Sequence, residues 1–480
     1  MTFSLPLEEP VARVISRFRS AKGLAVLTSG GVEPCFNPRF PLARWSFIAT
    51  DPFMVLSFRP GSLFIEPHSA GLDIPKEPFQ AIESILGAHN FSGDAPTPFP
   101  AGGIGYFSYE LRTFFEKVPV SVVDDLRLPQ MWFCFYDAVV SIDHYEKRIW
   151  ITSTGMPEEG AAGERRQQER FEEILATLRR DPGENPEYTP DDDRRTLFSS
   201  FSHAGYVNAV KRVKEYIAAG DVYQVNIAQR YSVPSKADGF SLFQKLLRTN
   251  PSPFAAYLEG EGFSVASCSP ERFIHYDKAT GTIHTRPIKG TRPRGRNPEE
   301  DKRLAEELLA SSKDRAEHVM IVDLERNDLG RLAQTGSVRV SEFCVLEPFP
   351  TVFHLTSTVE AKLRQGTGIA GILRATFPGG SITGAPKVRA MEIIDEIEPV
   401  ARGIYTGAIG YLSFNGRMDL NIVIRTLVLT GGYIHFHVGG GIVADSDPEG
   451  EYQETLDKGR AFSQVLGIDL REVKELEDIR

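Results

Sequence analysis

Short apolar runs separated by glycine and proline fill the first 150 residues. Two examples are "GLAVLTSGG" (23–31) and "MWFCFYDAVVSID" (131–143). Apolar stretches of this length, bounded by turn-forming residues, are typical of β-strands. This part of the chain is therefore predicted to be rich in strands.

The spacing of apolar positions changes after residue 150. Between 163 and 180 they recur every three to four residues, which predicts a helix; the positions are Phe171, Ile174, Leu175 and Leu178. The stretch 181–195 is acidic and contains proline, as linkers and exposed loops do. A second helix is predicted from Ser202, which can cap its start, to Gly220, which can end it.

Residues 407–445 predict an antiparallel meander. Its turns are expected at Asn415–Gly416 and at 430–432, between apolar runs. One strand is expected to span 418–429, and a last helix is expected over 451–466. The predicted class is α+β, dominated by large antiparallel sheets. We divide the chain into a region 1–150, a helix and acidic linker 151–200, and a catalytic region 201–475.

Composition excludes several classes of function. The 480 residues are 41% hydrophobic and 25% charged, which is ordinary for a globular protein. A net charge of −10 argues against a general nucleic-acid binder. No apolar run could span a bilayer, and the start lacks a secretory pattern. The four cysteines are scattered and form no CxxC pair, so neither zinc nor disulfides are indicated. We expect a cytoplasmic protein that binds neither membrane nor nucleic acid.

The segment "RPIKGTRPRG" (286–295) places Lys289 on a stiff loop near Arg286, Arg292 and Arg294. A lysine in water has a pKa of about 10.4 and cannot attack carbon while protonated. Burial and neighbouring cations both lower that pKa. Lys289 is therefore a candidate nucleophile. The alternative is an ordinary ion pair with an acid on an adjacent element.

Two further features could bind anions. Arg425 lies within the predicted strand 418–429, where it could bind a substrate carboxylate or form an internal salt bridge. Three glycines (439–441) come directly after a predicted strand, so their amides could approach an anion or form a tight turn. The glycine-rich segment 377–394 leads into a helix, but neither it nor 102–110 matches a nucleotide-binding motif.

Two acidic pairs have matching spacing. Asp314 and Glu317, like Glu451 and Glu454, are three residues apart in predicted helices, so each pair projects from one face. Acids near a helix start also complement the helix dipole and need no metal. If the two pairs converge, they suit Mg²⁺.

The ordered motifs along the chain resemble the chorismate-utilising enzymes, the family of anthranilate synthase component I, aminodeoxychorismate synthase component I, isochorismate synthase and salicylate synthase. The similarity spans the chain and is looser in the first third. It is dense in 219–230, 267–273, 286–295, 316–331, 354–359, 379–395, 405–411 and 451–458. The resemblance implies an antiparallel β-sandwich flanked by helices, as in anthranilate synthase component I.

One position separates branches of this family. The motif PIxGT typically has alanine at x in anthranilate synthases, and lysine in the branch that forms 4-amino-4-deoxychorismate through a covalent intermediate. This chain reads "PIKGT", so the resemblance implies the second activity. Anthranilate formation is the alternative. A non-catalytic binding subunit is the third reading, and the presence of the candidate catalytic residues argues against it.

The resemblance also implies roles for residues. Lys289 would be the nucleophile, Glu271 the general acid and base, and His354 would lie near the leaving hydroxyl. Mg²⁺ would be held by Glu317 and Glu454, supported by Asp314 and Glu451. Chorismate would be bound by Tyr405, Arg425, Gly439, Gly440, Gly441, Lys458 and Thr383.

Ammonia is the other expected reactant. The chain shows no glutaminase motif, so the resemblance implies a separate glutamine amidotransferase subunit as partner. Feedback-inhibited anthranilate synthases typically carry a Leu-Leu-Glu-Ser stretch near the N-terminus. The comparable place here reads "AVLTSGG" (25–31), without the glutamate. We therefore expect no inhibition by tryptophan.

Overall fold

The computed structural model describes residues 1–29, 42–67, 74–91, 93, 95–183, 188–190 and 196–475. Strands and helices are both frequent in this part of the chain. In order they are β1 (Thr2–Pro6), β2 (Ala25–Thr28), β3 (Trp45–Ala49), β4 (Met54–Arg59), β5 (Ser62–Glu66), β6 (Gly102–Phe107), β7 (Met131–Tyr136), β8 (Ala138–Asp143), β9 (Arg148–Ser153), β10 (Leu197–Ser199), β11 (Gln224–Pro234), β12 (Phe254–Gly260), β13 (Phe263–Ser269), β14 (Arg272–Asp277), β15 (Thr282–Arg286), β16 (Ile288–Pro293), β17 (Arg339–Pro348), β18 (Val352–Lys362), β19 (Gly384–Ala385), β20 (Ala408–Ser413), β21 (Arg417–Ile422), β22 (Thr426–Thr430), β23 (Tyr433–Ile442) and β24 (Val473–Glu475).

The helices lie between groups of strands. They are α1 (Val11–Ser16), α2 (Pro78–Ala88), α3 (Arg112–Phe115), α4 (Gly160–Arg179), α5 (His203–Ala218), α6 (Gly239–Thr249), α7 (Pro298–Ala310), α8 (Ser312–Gly330), α9 (Ile369–Thr376), α10 (Lys387–Ile397), α11 (Pro448–Lys458) and α12 (Arg460–Leu466). Two 3₁₀ turns cover Tyr109–Leu111 and Gly380–Ile382. Within the described ranges, no helix is long and apolar enough to cross a membrane.

The described strands form two large sheets. The first has the order β1-β9-β8-β3-β2-β12-β13-β22-β23-β11-β10-β24, with β19 paired to β11. The second has the order β16-β18-β15-β14-β21-β20-β6-β7-β4-β5, with β17 paired to β18. Strands from 1–150 and from 201–475 pair directly in both sheets, as in β2–β12 and β6–β20. The two predicted regions therefore share both sheets.

The sheets pack face to face, and helices cover their outer faces. Side chains of both sheets meet in one apolar cluster that includes Phe47, Tyr106, Val265 and Tyr411. Successive side chains of a strand point to opposite faces, and apolar residues occupy both faces of these sheets. Each sheet therefore also has an outer apolar face that needs cover. Helices α2, α8 and α9 cover the second sheet, and α1, α6 and α12 cover the first. The predicted α+β class with a helix-flanked antiparallel sandwich is confirmed.

Both predicted helices are present. Helix α4 spans the first, and α5 begins after Ser202, whose hydroxyl accepts a hydrogen bond from the Gly205 amide at 3.2 Å. The acidic segment 181–195 lies partly outside the described residues, as do residues 30 and 31 of "AVLTSGG". The last helix is not continuous as predicted: α11 ends at Lys458 and α12 begins at Arg460.

The meander differs from its prediction in one respect. The turns at Asn415–Gly416 and Gly431–Gly432 are present, but the expected strand 418–429 is two strands. Strand β21 ends at Ile422 in the second sheet, and β22 begins at Thr426 in the first. The chain therefore passes from one sheet to the other at residues 423–425.

A buried ion pair stabilises the region where the sheets separate. Arg402 lies in the interior and donates to both carboxylate oxygens of Glu398, at 2.7 and 2.9 Å. It also donates to the carbonyls of Ile382 and Asn226, at 3.0 and 2.8 Å. One guanidinium thus connects α10, the 3₁₀ turn and β11.

Removing this guanidinium is expected to destabilise the fold strongly. Arg402→Ala leaves the buried Glu398 carboxylate without its partner, so the free energy of unfolding is predicted to fall by about 3 to 5 kcal/mol. Arg212→Ala is the control, since its pair with Glu396 is exposed and is worth about 1 kcal/mol or less. Urea denaturation measures both, and equal losses would contradict a dominant role for Arg402.

Candidate active site

Two adjacent connections between the sheets carry candidate site residues. The first, between β13 and β14, contains Glu271, and the second, between β21 and β22, contains Arg425. The Ser269 hydroxyl donates to the Ile422 carbonyl at 2.6 Å, and the Ile422 amide donates to the Glu271 carbonyl at 3.0 Å. The Cys268 amide donates to the Arg425 carbonyl at 3.0 Å. The two connections are thus hydrogen-bonded side by side.

Lys289 lies on a β-bulge at the edge of the second sheet. Strand β16 pairs with β18 through Ile288 opposite Thr356 and Thr291 opposite His354, so two residues of β16 face one of β18. The bulge is possible because Gly290 has a φ of +86°. A bulge re-aims a side chain, and here that side chain is the half-buried lysine.

The charges around Lys289 come from several elements. Burial lowers the pKa of Lys289, and the ammonium of Lys458 lowers it further. The carboxylates of Glu317, Glu271 and Glu454 oppose this effect. Residues from α8, α11 and the β13–β14 connection therefore converge on the lysine.

The expected source of the pKa effect was partly wrong. Arg286, Arg292 and Arg294 were predicted to lower the pKa of Lys289, but each is paired with a carboxylate. Arg286 bonds Glu342 and Glu347, Arg292 bonds Asp314, and Arg294 bonds Asp301. Their charges are neutralised locally, so burial is the main cause of the shift.

Glu271 is buried beside this lysine. Burial raises the pKa of its carboxyl, whereas a hydrogen bond from Ser381, the charge of Lys289 and the backbone of Ile288 oppose the rise. A carboxyl with a raised pKa can carry a proton near neutral pH. Its surroundings therefore suit a group that gives up and takes back a proton.

His354 lies on β18 next to the bulge. Its Nδ1 is 2.9 Å from the Thr291 hydroxyl, and its Nε2 is buried with no hydrogen-bond partner among the described residues. Burial lowers the pKa of His354 to about 3, with a further contribution from the charge of Arg425. The ring is therefore neutral at physiological pH and has one nitrogen free for a ligand.

Arg425 is a cation without a carboxylate partner among the described residues. Its guanidinium donates to the Asn250 side-chain oxygen at 3.2 Å, and it forms no salt bridge in the described part of the chain. Burial lowers the pKa of this guanidinium. The backbone here has a φ of +52°, which non-glycine residues rarely adopt. A half-buried guanidinium that bonds only an amide oxygen among the described residues is a suitable site for a carboxylate ligand.

Tyr405 and Thr383 lie near Arg402, whose guanidinium is 5.9 Å from the Tyr405 ring centroid and bonds the carbonyl of Ile382, the residue before Thr383. Tyr405 stacks on His437 with ring centroids 4.7 Å apart, and burial raises its pKa to about 12. Its hydroxyl therefore stays protonated and can donate. The Thr383 hydroxyl is fully buried and donates to the Gly379 carbonyl at 2.9 Å, so only its lone pairs remain for another partner.

The three glycines lie inside β23, which corrects the prediction that they follow a strand. They pair with residues 226–228 of β11, whereas β22 pairs only with residues 433–436. Among the described strands, none therefore pairs with the β22-side edge of β23 beyond Phe436, and alternate amides point to that edge. A Cβ at Gly440 would lie 3.2 Å from Glu451 Oε2 and 3.6 Å from Glu454 Oε1, so glycine lets α11 approach the strand.

The acids of α11 face these glycines. Glu451 is buried; the Ser446 hydroxyl donates to one oxygen at 2.5 Å, while Oε2 has no partner among the described residues. Burial raises its pKa. Glu454 bonds Lys458 at 2.7 Å, and this ammonium lowers its pKa. Lys458 also donates to the Gly439 carbonyl at 2.9 Å.

The acids of α8 differ from each other. Glu317 is half-buried, and burial raises its pKa, with Lys289 opposing and Glu454 adding to the rise. Asp314 instead accepts a hydrogen bond from Arg292 at 2.9 Å. The charges of Glu317 and Glu454 therefore act on each other, whereas the Asp314 carboxylate is already paired with Arg292.

This donor set fits a hard divalent cation. Glu317 and Glu454 act on each other, and Glu451 brings a buried oxygen without a partner. No group of three His, Cys, Asp or Glu within the described ranges could hold a metal by itself. Mg²⁺ usually binds through one or two carboxylates, waters and substrate oxygens, so these glutamates could hold it together with a bound anion.

Three polar residues of the site were not identified from the sequence. Asn250 supports Arg425, Ser381 bonds Glu271, and Thr291 bonds His354. Thr291 and Ser381 lie in the segments 286–295 and 377–394, which were already selected from the sequence. Their membership of those segments was the signal that could have identified them. Asn250 begins "NPSPF" (250–254), and nothing in that stretch indicates a contact with residue 425.

Comparison with known proteins places this arrangement in a class. Residues 48–464 match the family of chorismate binding enzymes, and the chain belongs to that family. It is 38% identical to aminodeoxychorismate synthase component 1 of Bacillus subtilis over 432 residues, which are 90% of this chain and 91% of that protein.

Anthranilate synthases are similar to a comparable degree. The chain is 41% identical to anthranilate synthase component 1 1 of Haloarcula marismortui over 392 residues, 80% of this chain and 79% of that protein. The crystal structure of anthranilate synthase component I from Streptococcus pneumoniae superposes with a TM-score of 0.78 at 32% identity, covering 88% of this chain and 92% of that one. Overall identity therefore does not separate the two activities.

The Arg425 guanidinium should add little to stability. Arg425→Met removes a charge that has no carboxylate partner in the described part of the chain, so the free energy of unfolding is predicted to change by about 1 kcal/mol or less. Arg272→Met is the comparison, because Arg272 bonds Asp419 at 2.8 and 2.9 Å in a buried pair, and its loss is expected to cost about 3 to 5 kcal/mol. Similar losses in urea denaturation would show that Arg425 has a structural partner.

Proposed function

We propose that this chain replaces the 4-hydroxyl of chorismate with an amino group, forming 4-amino-4-deoxychorismate, in a sequence of two displacements. The observation that carries the proposal is the position of Lys289. Its amine lies on a bulge, is half-buried, and faces Glu271 and the candidate metal ligands. In anthranilate synthases this motif position typically holds alanine, which offers no nucleophile.

Substrate orientation follows from the charges. Chorismate has two carboxylates, and the site has two places that favour anions. The Arg425 guanidinium, the Tyr405 hydroxyl and the open edge of β23 would hold the enolpyruvyl carboxylate. Glu317 and Glu454, with Glu451 in support, would hold Mg²⁺. When bound there, Mg²⁺ supplies positive charge that neutralises the glutamates and the ring carboxylate.

The first displacement uses Lys289 and Glu271. The neutral amine attacks ring carbon 2, the ring double bonds shift, and the carbon–oxygen bond at carbon 4 breaks. Glu271 donates a proton to the departing hydroxyl, which leaves as water. His354, neutral and with a free Nε2, would bond the same hydroxyl.

The second displacement releases the enzyme. Ammonia attacks carbon 4, the double bonds shift back, and the bond between carbon 2 and Lys289 breaks. Glu271, now a carboxylate, accepts the proton that the incoming nitrogen loses. Overall, chorismate and ammonia give 4-amino-4-deoxychorismate and water. Lys458 adds positive charge near Glu454 throughout.

A separate glutamine amidotransferase subunit is proposed as the ammonia source. The name "component 1" of the Bacillus subtilis relative supports a partner component. The cytoplasmic location expected from the sequence stays a prediction.

Product identification tests the proposal. The purified chain is incubated with chorismate, Mg²⁺ and ammonium, and the products are separated and identified by mass. We expect 4-amino-4-deoxychorismate as the main product. Anthranilate together with pyruvate would contradict the proposal and favour the alternative activity, which the similarity to anthranilate synthases keeps open.

Removal of the nucleophile should abolish turnover but not binding. Lys289→Ala is predicted to lower kcat by roughly 1000-fold or more, as the loss of other covalent nucleophiles does. Chorismate binding in the presence of Mg²⁺, measured by equilibrium dialysis, should remain. Lys302→Ala is the control, since Lys302 is exposed on α7. Unchanged turnover in Lys289→Ala would exclude a nucleophilic lysine.

Removal of one proposed ligand should change the metal requirement. Glu454→Gln is predicted to raise the Mg²⁺ concentration for half-maximal activity by at least about tenfold. Glu449→Gln is the matched control, because Glu449 lies on the same helix but is exposed and bonds His203. A Mg²⁺ titration identical to that of the wild type would remove Glu454 from the proposed metal site.

A further inference from the structure

A second buried carboxyl lies behind Glu271. Glu325 is on α8, two turns beyond Glu317, and its side chain is only 3% exposed. Its Oε2 has no hydrogen-bond partner among the described residues. The mechanism above gives this side chain no role, although the charge of Glu271 acts on it directly.

One short turn connects the two carboxyls. In the 3₁₀ turn Gly380–Ile382, the Gly380 backbone bonds Glu325, and the Ser381 side chain bonds Glu271. The turn lies tightly against α8: a Cβ at Gly380 would be 2.5 Å from Leu324 Cδ2 and 3.3 Å from Glu325 Oε1. Neighbouring residues of one turn therefore bond one carboxyl each.

Among the described residues, Asp328 and Lys387 are the other charged groups that act on Glu325. Asp328 lies on the same helix and accepts a hydrogen bond from the Lys387 ammonium at 2.5 Å. Burial raises the pKa of Glu325 to about 8; the charges of Asp328 and Glu271 raise it, while Lys387 and the Gly380 backbone lower it. At neutral pH the Glu325 carboxyl is therefore protonated.

We propose that Glu325 is a positioning residue for Glu271, acting through the Gly380–Ser381 turn that bonds both carboxyls. The inference rests on the proposed function, in which Glu271 transfers the proton. A neutral Glu325 fixes the turn without opposing the ionisation of Glu271. At alkaline pH, ionised Glu325 would favour the protonated form of Glu271, because like charges repel.

Two substitutions separate the role of Glu325 as a hydrogen-bond acceptor from the role of its charge. Glu325→Gln keeps the acceptor for the Gly380 amide but cannot ionise, so chorismate turnover with ammonium should match the wild type at pH 7. Above about pH 8, the ratio of variant to wild-type kcat should fall, because Glu271 loses the neighbour that helps it keep its proton. Glu325→Leu removes the acceptor and should lower kcat several-fold at every pH with little change in KM.

Infrared difference spectroscopy gives a readout that needs no turnover. The wild type should show a protonated-carboxyl absorption at pH 7 that is lost above about pH 8 and is absent in Glu325→Gln. Asp323→Asn is the control, since Asp323 is on the same helix but exposed and paired with Arg326; it should behave as the wild type in both assays.

The outcomes are distinct. The inference would be overturned if the ratio of Glu325→Gln to wild-type kcat stayed constant from pH 6 to 9. An infrared spectrum of Glu325→Gln identical to that of the wild type would also overturn it. A matching loss in Asp323→Asn would also overturn it, because that result would show a general charge effect. Anthranilate as product would instead refute the proposed function, while the infrared assay still tests the proton on Glu325.

Discussion

The site depends on the two adjacent connections by which the chain passes between the sheets. Hydrogen bonds join them at Ser269, Ile422 and Cys268, so Glu271 and Arg425 are held at fixed positions where the sheets separate. Inside a sheet, each backbone amide is committed to a neighbouring strand. Where the strands end and the sheets diverge, side chains can face a shared cleft, and helices α8 and α11 close it with their acids.

The electrostatics of the cleft follow from which charges have partners. Arg286, Arg292 and Arg294 are paired within the fold, so they add little to the field at Lys289. The Oε2 of Glu451 and the Nε2 of His354 have no hydrogen-bond partners among the described residues, and Arg425 bonds Asn250 but no carboxylate there. Groups of this kind cost stability unless a ligand completes them, and a substrate with two carboxylates bound with Mg²⁺ would do so.

Local patterns in the sequence predicted much of this arrangement. The α+β class, the helices after residue 160 and the hairpin turns followed from apolar spacing and turn residues, whereas the sandwich was implied by the family resemblance. The break at 423–425 did not, because Val423 and Ile424 continue a strand pattern and nothing in the residue types announces the positive φ of Arg425. The glycines at 439–441 resembled a turn because β11, the strand with which they pair, is distant along the chain. Pairs such as Arg286 with Glu342 are likewise non-local and cannot be read from spacing.

The central claim is that the Lys289 amine forms a bond to the ring of chorismate. The most direct test is peptide mass mapping after the chain is incubated with chorismate and Mg²⁺ in the absence of ammonium. The account predicts that the peptide containing Lys289 gains the mass of chorismate less one water, and that added ammonium removes this mass. A peptide that stays unmodified while the same protein turns over chorismate and ammonium to 4-amino-4-deoxychorismate would contradict it.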